Sequence, residues 1–205
     1  SLVPMKIIKK IFFSLLSLFL LYFSFTSLKQ ILAFGPEQLG FKSSLFLGFM
    51  INLCVTGIFA FPGFVFPTNK VLPENYYIIK RPSKLIHWYN VLGVKYFRKL
   101  LIIFFWGKKD HRKKFFDGTK SGLKQFIYQS KQSEFGHLGA LVLLLIINLL
   151  FLIPGYNLLV LFTFLINIIG NFYPVILQRY HRIRIQRILA KPKLEESNNS
   201  KSFNI

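Results

Sequence analysis

The chain has 205 residues, of which 53% are apolar, 25 are Phe, and 27 are Lys or Arg against seven Asp or Glu, a formal net charge of +20. A mean hydropathy of +0.45 with that much basic charge excludes an ordinary soluble domain and fits an integral membrane protein, whose apolar residues gather in spans and basic residues in the connecting segments. One cysteine, Cys54, excludes a disulfide framework and any cysteine-based metal site.

A bilayer core of roughly 30 Å needs about 20 apolar residues in helix. On that measure the sequence predicts spans over about 11–28, 45–66, 135–153 and 157–177. The first follows Met5-Lys6-Ile7-Ile8-Lys9-Lys10, which reads as a natural start and carries the charged region of a signal peptide. The apolar run is long, though, and no small-x-small cleavage site follows, so a retained anchor is the better reading. Pro62 and Gly63 should kink or end the second span, and Pro154-Gly155-Tyr156 leaves the last two room only for an antiparallel hairpin. Residues 1–190 are predicted to form one polytopic membrane domain, and the polar stretch 191–205 a disordered tail.

Basic residues set the expected topology. Lys6, Lys9 and Lys10 precede the first span; 67–134 holds fifteen Lys and Arg; seven follow Leu177; the turn at 154–156 has none. N-terminus, long loop and C-terminus are therefore expected in the cytoplasm. The positive-inside rule accounts for the charge without nucleic acid, which is not an expected partner. The long loop interleaves charge with aromatics. Its segment Lys84–Gly107 is predicted to form amphipathic helices in the interface, where basic residues attract anionic lipid. Pro73-Glu74-Asn75-Tyr76-Tyr77 reads as the interfacial entry to this loop. The expected fold is an all-α integral membrane protein of about four transmembrane helices with a long basic cytoplasmic loop.

Three polar constellations could carry chemistry. His111 and Asp117 are near the spacing of a glycerolipid acyltransferase motif, but five residues intervene rather than four, and Asp117-Gly118 reads better as a turn. Glu134 and His137 stand three apart where polar sequence turns apolar, so a helix puts them on one face. A carboxylate beside an imidazole fixes its tautomer and supports a general base. Equally, Glu134 can cap the first turn of the third span, with His137 as an interfacial anchor. The third cluster closes the fourth span: Asn171 lies within it, Gln178 falls seven residues on, and Arg179, Arg182, Arg184 and Arg187 emerge beyond. These arginines suit a stop-transfer flank, and their forks also suit the phosphate or carboxylate of an acyl thioester donor. No Gly-rich phosphate loop, serine elbow or clustered metal-ligand spacing is present, and no cofactor is implied.

The ordered motifs Pro73-Glu74-x-Tyr76, "WYNVLGVKYFRKLL", "FFDG", Glu134-x-x-His137 and Asn171…Gln178-Arg179-Tyr180-x-Arg182-x-Arg184 resemble the glycosyl-4,4'-diaponeurosporenoate acyltransferase family of staphyloxanthin-type carotenoid synthesis, from about Leu72 to Leu189. The resemblance implies an enzyme of the bacterial inner membrane that esterifies a sugar hydroxyl of a glycosylated lipid. It implies catalytic roles for His137 as base and Glu134 as its orienting group, and substrate-binding roles for Asn171, Gln178, Arg179, Tyr180, Arg182, Arg184 and Asp117. His181 stands where the family has Asn, Ile183 where it has Pro, and Gln129 where it has an acid. Two spans precede the loop rather than one. The alternative from another class is a non-enzymatic subunit or assembly factor with partner membrane proteins.

Overall fold

The computed structural model describes residues 2–105 and 120–190. Those residues form helices α1 (Leu2–Phe34), α2 (Phe41–Gly63), α3 (Glu74–Tyr77), α4 (Pro82–Val91), α5 (Val94–Phe105), α6 (Lys120–Leu152), α7 (Asn157–Asn167) and α8 (Tyr173–Ala190), with a π-helical turn (Ile168–Phe172) joining the last two. Four helical stretches are long and apolar enough to cross a bilayer: α1, α2, α6, and α7 with its π turn and α8. The protein is an all-α membrane protein. Its outward apolar surface is extensive; Phe12, Leu15, Phe19, Tyr22 and Phe25 of α1 all lie exposed, as expected where the solvent is lipid.

The buried centre is made by Val55 of α2, Ala140, Leu144 and Ile147 of α6, and Leu159 of α7. Because lipid tails are as apolar as leucine, such packing holds through close contact more than through water exclusion. Glycines permit that contact. A Cβ on Gly139 would stand 2.5 Å from the Phe59 ring, and one on Gly48 3.1 Å from the Thr163 amide nitrogen. The hairpin turn works through Gly155, at φ +90°, a region open to glycine, while the Tyr156 hydroxyl reaches the Ile31 carbonyl of α1 at 3.0 Å.

Two expectations need correction. The loop does not run to residue 134: its last fifteen residues belong to α6, which starts at Lys120. At 1.5 Å per residue that helix is about 50 Å long, so it projects well beyond one bilayer face. The segment 120–134 reads as loop because it is polar, yet Leu123, Ser130 and Glu134 are buried in it. Glu134 therefore lies in mid-helix and caps no first turn. The second correction concerns the loop's start, where Glu74–Tyr77 folds back onto α6 and α8 instead of merely entering an interface. Helices α4 and α5 dock on α8 through Tyr89, Val94, Ile176 and Leu177. Trp88, Tyr96, Leu100 and Ile103 remain exposed on their outer side, the apolar face an interfacial helix offers to lipid.

Candidate active site

Glu134 has no solvent exposure, and its carboxylate faces α8. Oε1 accepts from Arg179 Nε at 2.7 Å, and Oε2 accepts from Arg182 Nη2. Arg182, itself 1% exposed, also donates through Nη1 to Ser130 Oγ at 3.2 Å. A buried carboxylate is tolerated only when paired and hydrogen-bonded, and two guanidinium groups supply both. The returning loop covers them: the Tyr76 ring lies 4.7 Å from the Arg179 guanidinium, and the Tyr77 ring 5.6 Å from that of Arg182. Lys131 ties the segment down, 2.5 Å from Glu74. Burial, with the charge of Glu134 beside it, pushes the Tyr77 phenol up to about 12.

His137 looks elsewhere. Its Nδ1 lies 3.0 Å from Asn171 Oδ1, and the direction of that bond follows from a chain. The Leu141 carbonyl can only accept, so Asn167 presents its Nδ2 to it at 3.2 Å. Asn167 Oδ1 then accepts from Asn171 Nδ2 at 3.0 Å. Asn171 Oδ1 is thereby an acceptor, taking the Thr56 hydroxyl at 3.2 Å and Nδ1–H of a neutral His137. This tautomer leaves the lone pair on Nε2. Asn171 sits within the π turn, a distortion frequent at functional sites.

His137 also lines a cleft of about 580 Å³ between α2 and α6, together with Thr56, which bonds the same Asn171 oxygen. Where α2 ends at Gly63, its free carbonyls are closed by Gln132 Nε2, which donates to Gly63 at 3.2 Å and Phe66 at 2.8 Å. One wall is mostly apolar, with Ala60, Phe64, Val65 and Phe66 beside Thr56. The other is a stripe of α6 (Gln125, Tyr128, Gln129, Gln132, Ser133, Gly136, His137) at the three- and four-residue spacing of one helix face. All its side chains are polar and uncharged. About 22 Å of helix separates His137 from Leu152, less than the roughly 30 Å of hydrocarbon. The cleft thus runs from a boundary a short way into the apolar layer.

The predicted residues therefore fall into separate groups. Glu134, Arg179 and Arg182 form one ion cluster; His137 and Asn171 form another network. Gln178 joins neither, donating to Ser133 Oγ at 3.2 Å. Tyr180 stacks flat on Tyr89, ring centres 3.8 Å apart, and Arg184 is exposed beside them. Asp117 lies outside the described residues. Glu134 is not among the cleft's lining residues, and its carboxylate serves the arginines rather than orienting His137, as the sequence spacing had suggested. Sequence reasoning missed Thr56, Asn167 and the glutamine stripe. The pair Asn167 and Asn171, one turn apart inside a span, was the available signal. Among the described residues, no three of His, Cys, Asp and Glu come together to hold a metal.

Comparison with known families matches residues 73–191 to glycosyl-4,4'-diaponeurosporenoate acyltransferase. No curated protein matches the chain, and no solved structure does. The matched stretch holds Glu134, His137, Asn171 and the α8 arginines, while α2, which supplies one wall of the cleft, precedes it. With more than half of its length matched in this way, the chain belongs to the glycosyl-4,4'-diaponeurosporenoate acyltransferase family.

Proposed function

We propose that this protein transfers a fatty acyl group from a thioester donor to a sugar hydroxyl of a lipid-borne acceptor, at the cytoplasmic leaflet of the bacterial inner membrane. The observation that carries the reading is the cleft: an uncharged polar stripe leads to a histidine whose Nδ1 is held by Asn171, in the tautomer that carries its lone pair on Nε2. Amides and hydroxyls without a fixed charge suit a neutral, hydroxyl-rich group, and the facing Phe64 and Phe66 suit the apolar faces of a sugar or chain. In the step itself, His137 Nε2 takes the hydroxyl proton as the oxygen attacks the thioester carbonyl. The tetrahedral adduct then collapses to the ester, and the expelled thiolate takes the proton back from His137. Ser133, one turn away and lining the same cleft, receives a hydrogen bond from Gln178 and keeps its own proton to donate to the developing oxyanion. Gln178 then acts through Ser133 rather than directly. Basic flanks favour the cytoplasmic side.

One observation favours the non-enzymatic alternative: Glu134 is saturated by arginines and the cleft does not reach it, as in a purely structural cluster. The test is mass spectrometry of total lipids from cells with and without the protein, repeated with His137→Ala. Acyl transfer predicts a lipid that gains an acyl mass only with the unaltered protein. An unchanged lipid profile with folded protein in the membrane would leave the subunit reading standing.

A further inference from the structure

A second basic cluster lies on α8 beyond the Glu134 network and takes no part in the chemistry above. Tyr89 of α4 stacks on Tyr180 of α8 with planes 9° apart. Its phenolic oxygen is buried and has no hydrogen-bond partner, and the same holds for Nε of Arg98 on α5. Arg98 and Arg184 both act on the Tyr89 phenol, pulling it down while burial, the largest influence, pushes it up. Both also lie within electrostatic reach of His181. Residues of α4, α5 and α8 thus lie within electrostatic range of one another around the Tyr89–Tyr180 stack.

No described carboxylate answers them. Of the acidic residues described, Glu74 is held by Lys131 and Glu134 by Arg179 and Arg182, while Glu37 lies in the turn between α1 and α2. A buried hydroxyl and a buried guanidinium Nε without partners are both unfavourable by themselves, and no described carboxylate balances Arg98 or the exposed Arg184. Together they describe a site awaiting an anion with several acceptor oxygens.

We propose that Arg98, Arg184, Tyr89 and His181 form a seat for a phosphate group. Guanidinium forks match phosphate oxygens in pairs, and the Tyr89 hydroxyl supplies a further donor where it now has no acceptor. Asn171 and Arg184 are thirteen residues apart on nearly continuous helix, about 20 Å at 1.5 Å per residue. A phosphate held there, with its thioester on a long flexible arm, would let the carbonyl reach the His137 cleft. A phospholipid is the other source, its head group in the seat and its chains along exposed Leu100 and Ile103 of α5. The seat itself does not depend on the acyl-transfer reading; assigning it to the donor does.

The test uses the full chain in a non-ionic detergent, titrated with coenzyme A and, separately, with phosphatidylglycerol in mixed micelles. Arg98→Gln and Arg184→Gln should each weaken one of these ligands about tenfold or more. Tyr89→Phe should weaken the same ligand while raising the thermal midpoint, because it removes a buried hydroxyl without a partner. Lys95→Gln with Lys99→Gln removes two charges, one more than either arginine variant, from the exposed side of α5 and should still leave binding within about twofold. The ligand that responds identifies the source. His137→Ala should keep binding intact, so failure of the acyl-transfer reading and failure of the seat are separable. If neither ligand responds to the arginine variants, or the lysine pair weakens binding as much, the seat is refuted.

Discussion

Replacing Glu134 with Gln separates two roles that its position in the sequence confounds. The side chain is fully buried between Arg179, 29% exposed, and Arg182, 1% exposed. At about 4 Å and an effective dielectric near 20, each charge pair is worth about 4 kcal/mol. Glutamine keeps the shape and one acceptor but leaves Arg182 charged and enclosed, and Arg182 Nε already lacks a partner. Arg179 is better placed to recover, since it has a route to water and the Tyr76 ring beneath it. Breaking one such buried pair costs about 3–5 kcal/mol, which for a chain of this size lowers the melting midpoint by about 6–20 °C. Thermal unfolding of purified protein in detergent reads this directly. Adding Arg182→Met to Glu134→Gln should recover most of the loss, because no enclosed charge is then left unpaired. If Glu134→Gln melts within about 2 °C of the unaltered protein yet abolishes acyl transfer, the ion cluster is not what the carboxylate is for, and Glu134 belongs to the chemistry.

Three further perturbations test neighbouring parts of the argument. Asn171→Leu removes the acceptor that fixes the His137 tautomer and should lower kcat about 100-fold with little change in KM; an unchanged kcat would remove Asn171 as a positioning residue. Tyr77 keeps its proton up to about 12 when folded against 10.0 when free, so the unfolded state loses the proton first and stability should fall as pH rises from about 10 to 12. Tyr77→Phe should flatten that part of the stability profile, and an identical slope in the variant would show that other groups cause it. Gly139→Ala drives a methyl to within 2.5 Å of the Phe59 ring and should destabilise by about 1–3 kcal/mol, whereas Gly136→Ala, with its nearest neighbour at 3.6 Å, should melt like the unaltered protein.

The spanning helices were legible because hydrocarbon imposes a blunt requirement, and runs of Leu, Ile and Phe of the needed length meet it openly. The hairpin at Pro154-Gly155-Tyr156 was legible for a similar reason, since three residues allow little else. The true start of α6 was hidden: Lys124, Gln125, Gln129 and Lys131 look like loop when the partners that bury their neighbours are 45 or more residues away. Glu134 shows the limit of local spacing. Three residues from His137, it shares a helix face with it on paper, yet two arginines on α8 outbid the imidazole for both of its oxygens. The π turn left no local signal beyond Gly170, and it takes Asn171 out of the register that a regular helix would assign. Tyr76 and Tyr77 read as interfacial aromatics and serve instead as a cover for charge, a role that only the return of the loop creates.

That His137 leans on an amide rather than on the nearby carboxylate has a physical logic. The imidazole sits within the apolar layer, where an added full charge is expensive, and a carboxylate partner would place one beside it in every resting state. Asn171 fixes the same tautomer through a neutral acceptor, and Asn167 and the Leu141 carbonyl fix Asn171 in turn. Glu134 lies nearer the boundary, and its charge is cancelled by groups anchored in the basic flank of α8. On the proposed reading, charge is then confined to the rim, where an anionic donor would arrive, and the cleft stays neutral for an uncharged acceptor. The arrangement predicts its own failure mode. Asn171→Asp would restore a carboxylate beside His137 and, if a base with a carboxylate partner were what this site needs, would match or exceed the activity of the unaltered protein. If neutrality is what the apolar layer demands, Asn171→Asp should be less stable than Asn171→Leu even though it alone preserves an acceptor for Nδ1–H. Measuring both activity and melting of the two variants decides between these accounts: an active Asn171→Asp supports the carboxylate partner, and an inactive Asn171→Asp that melts below Asn171→Leu supports neutrality.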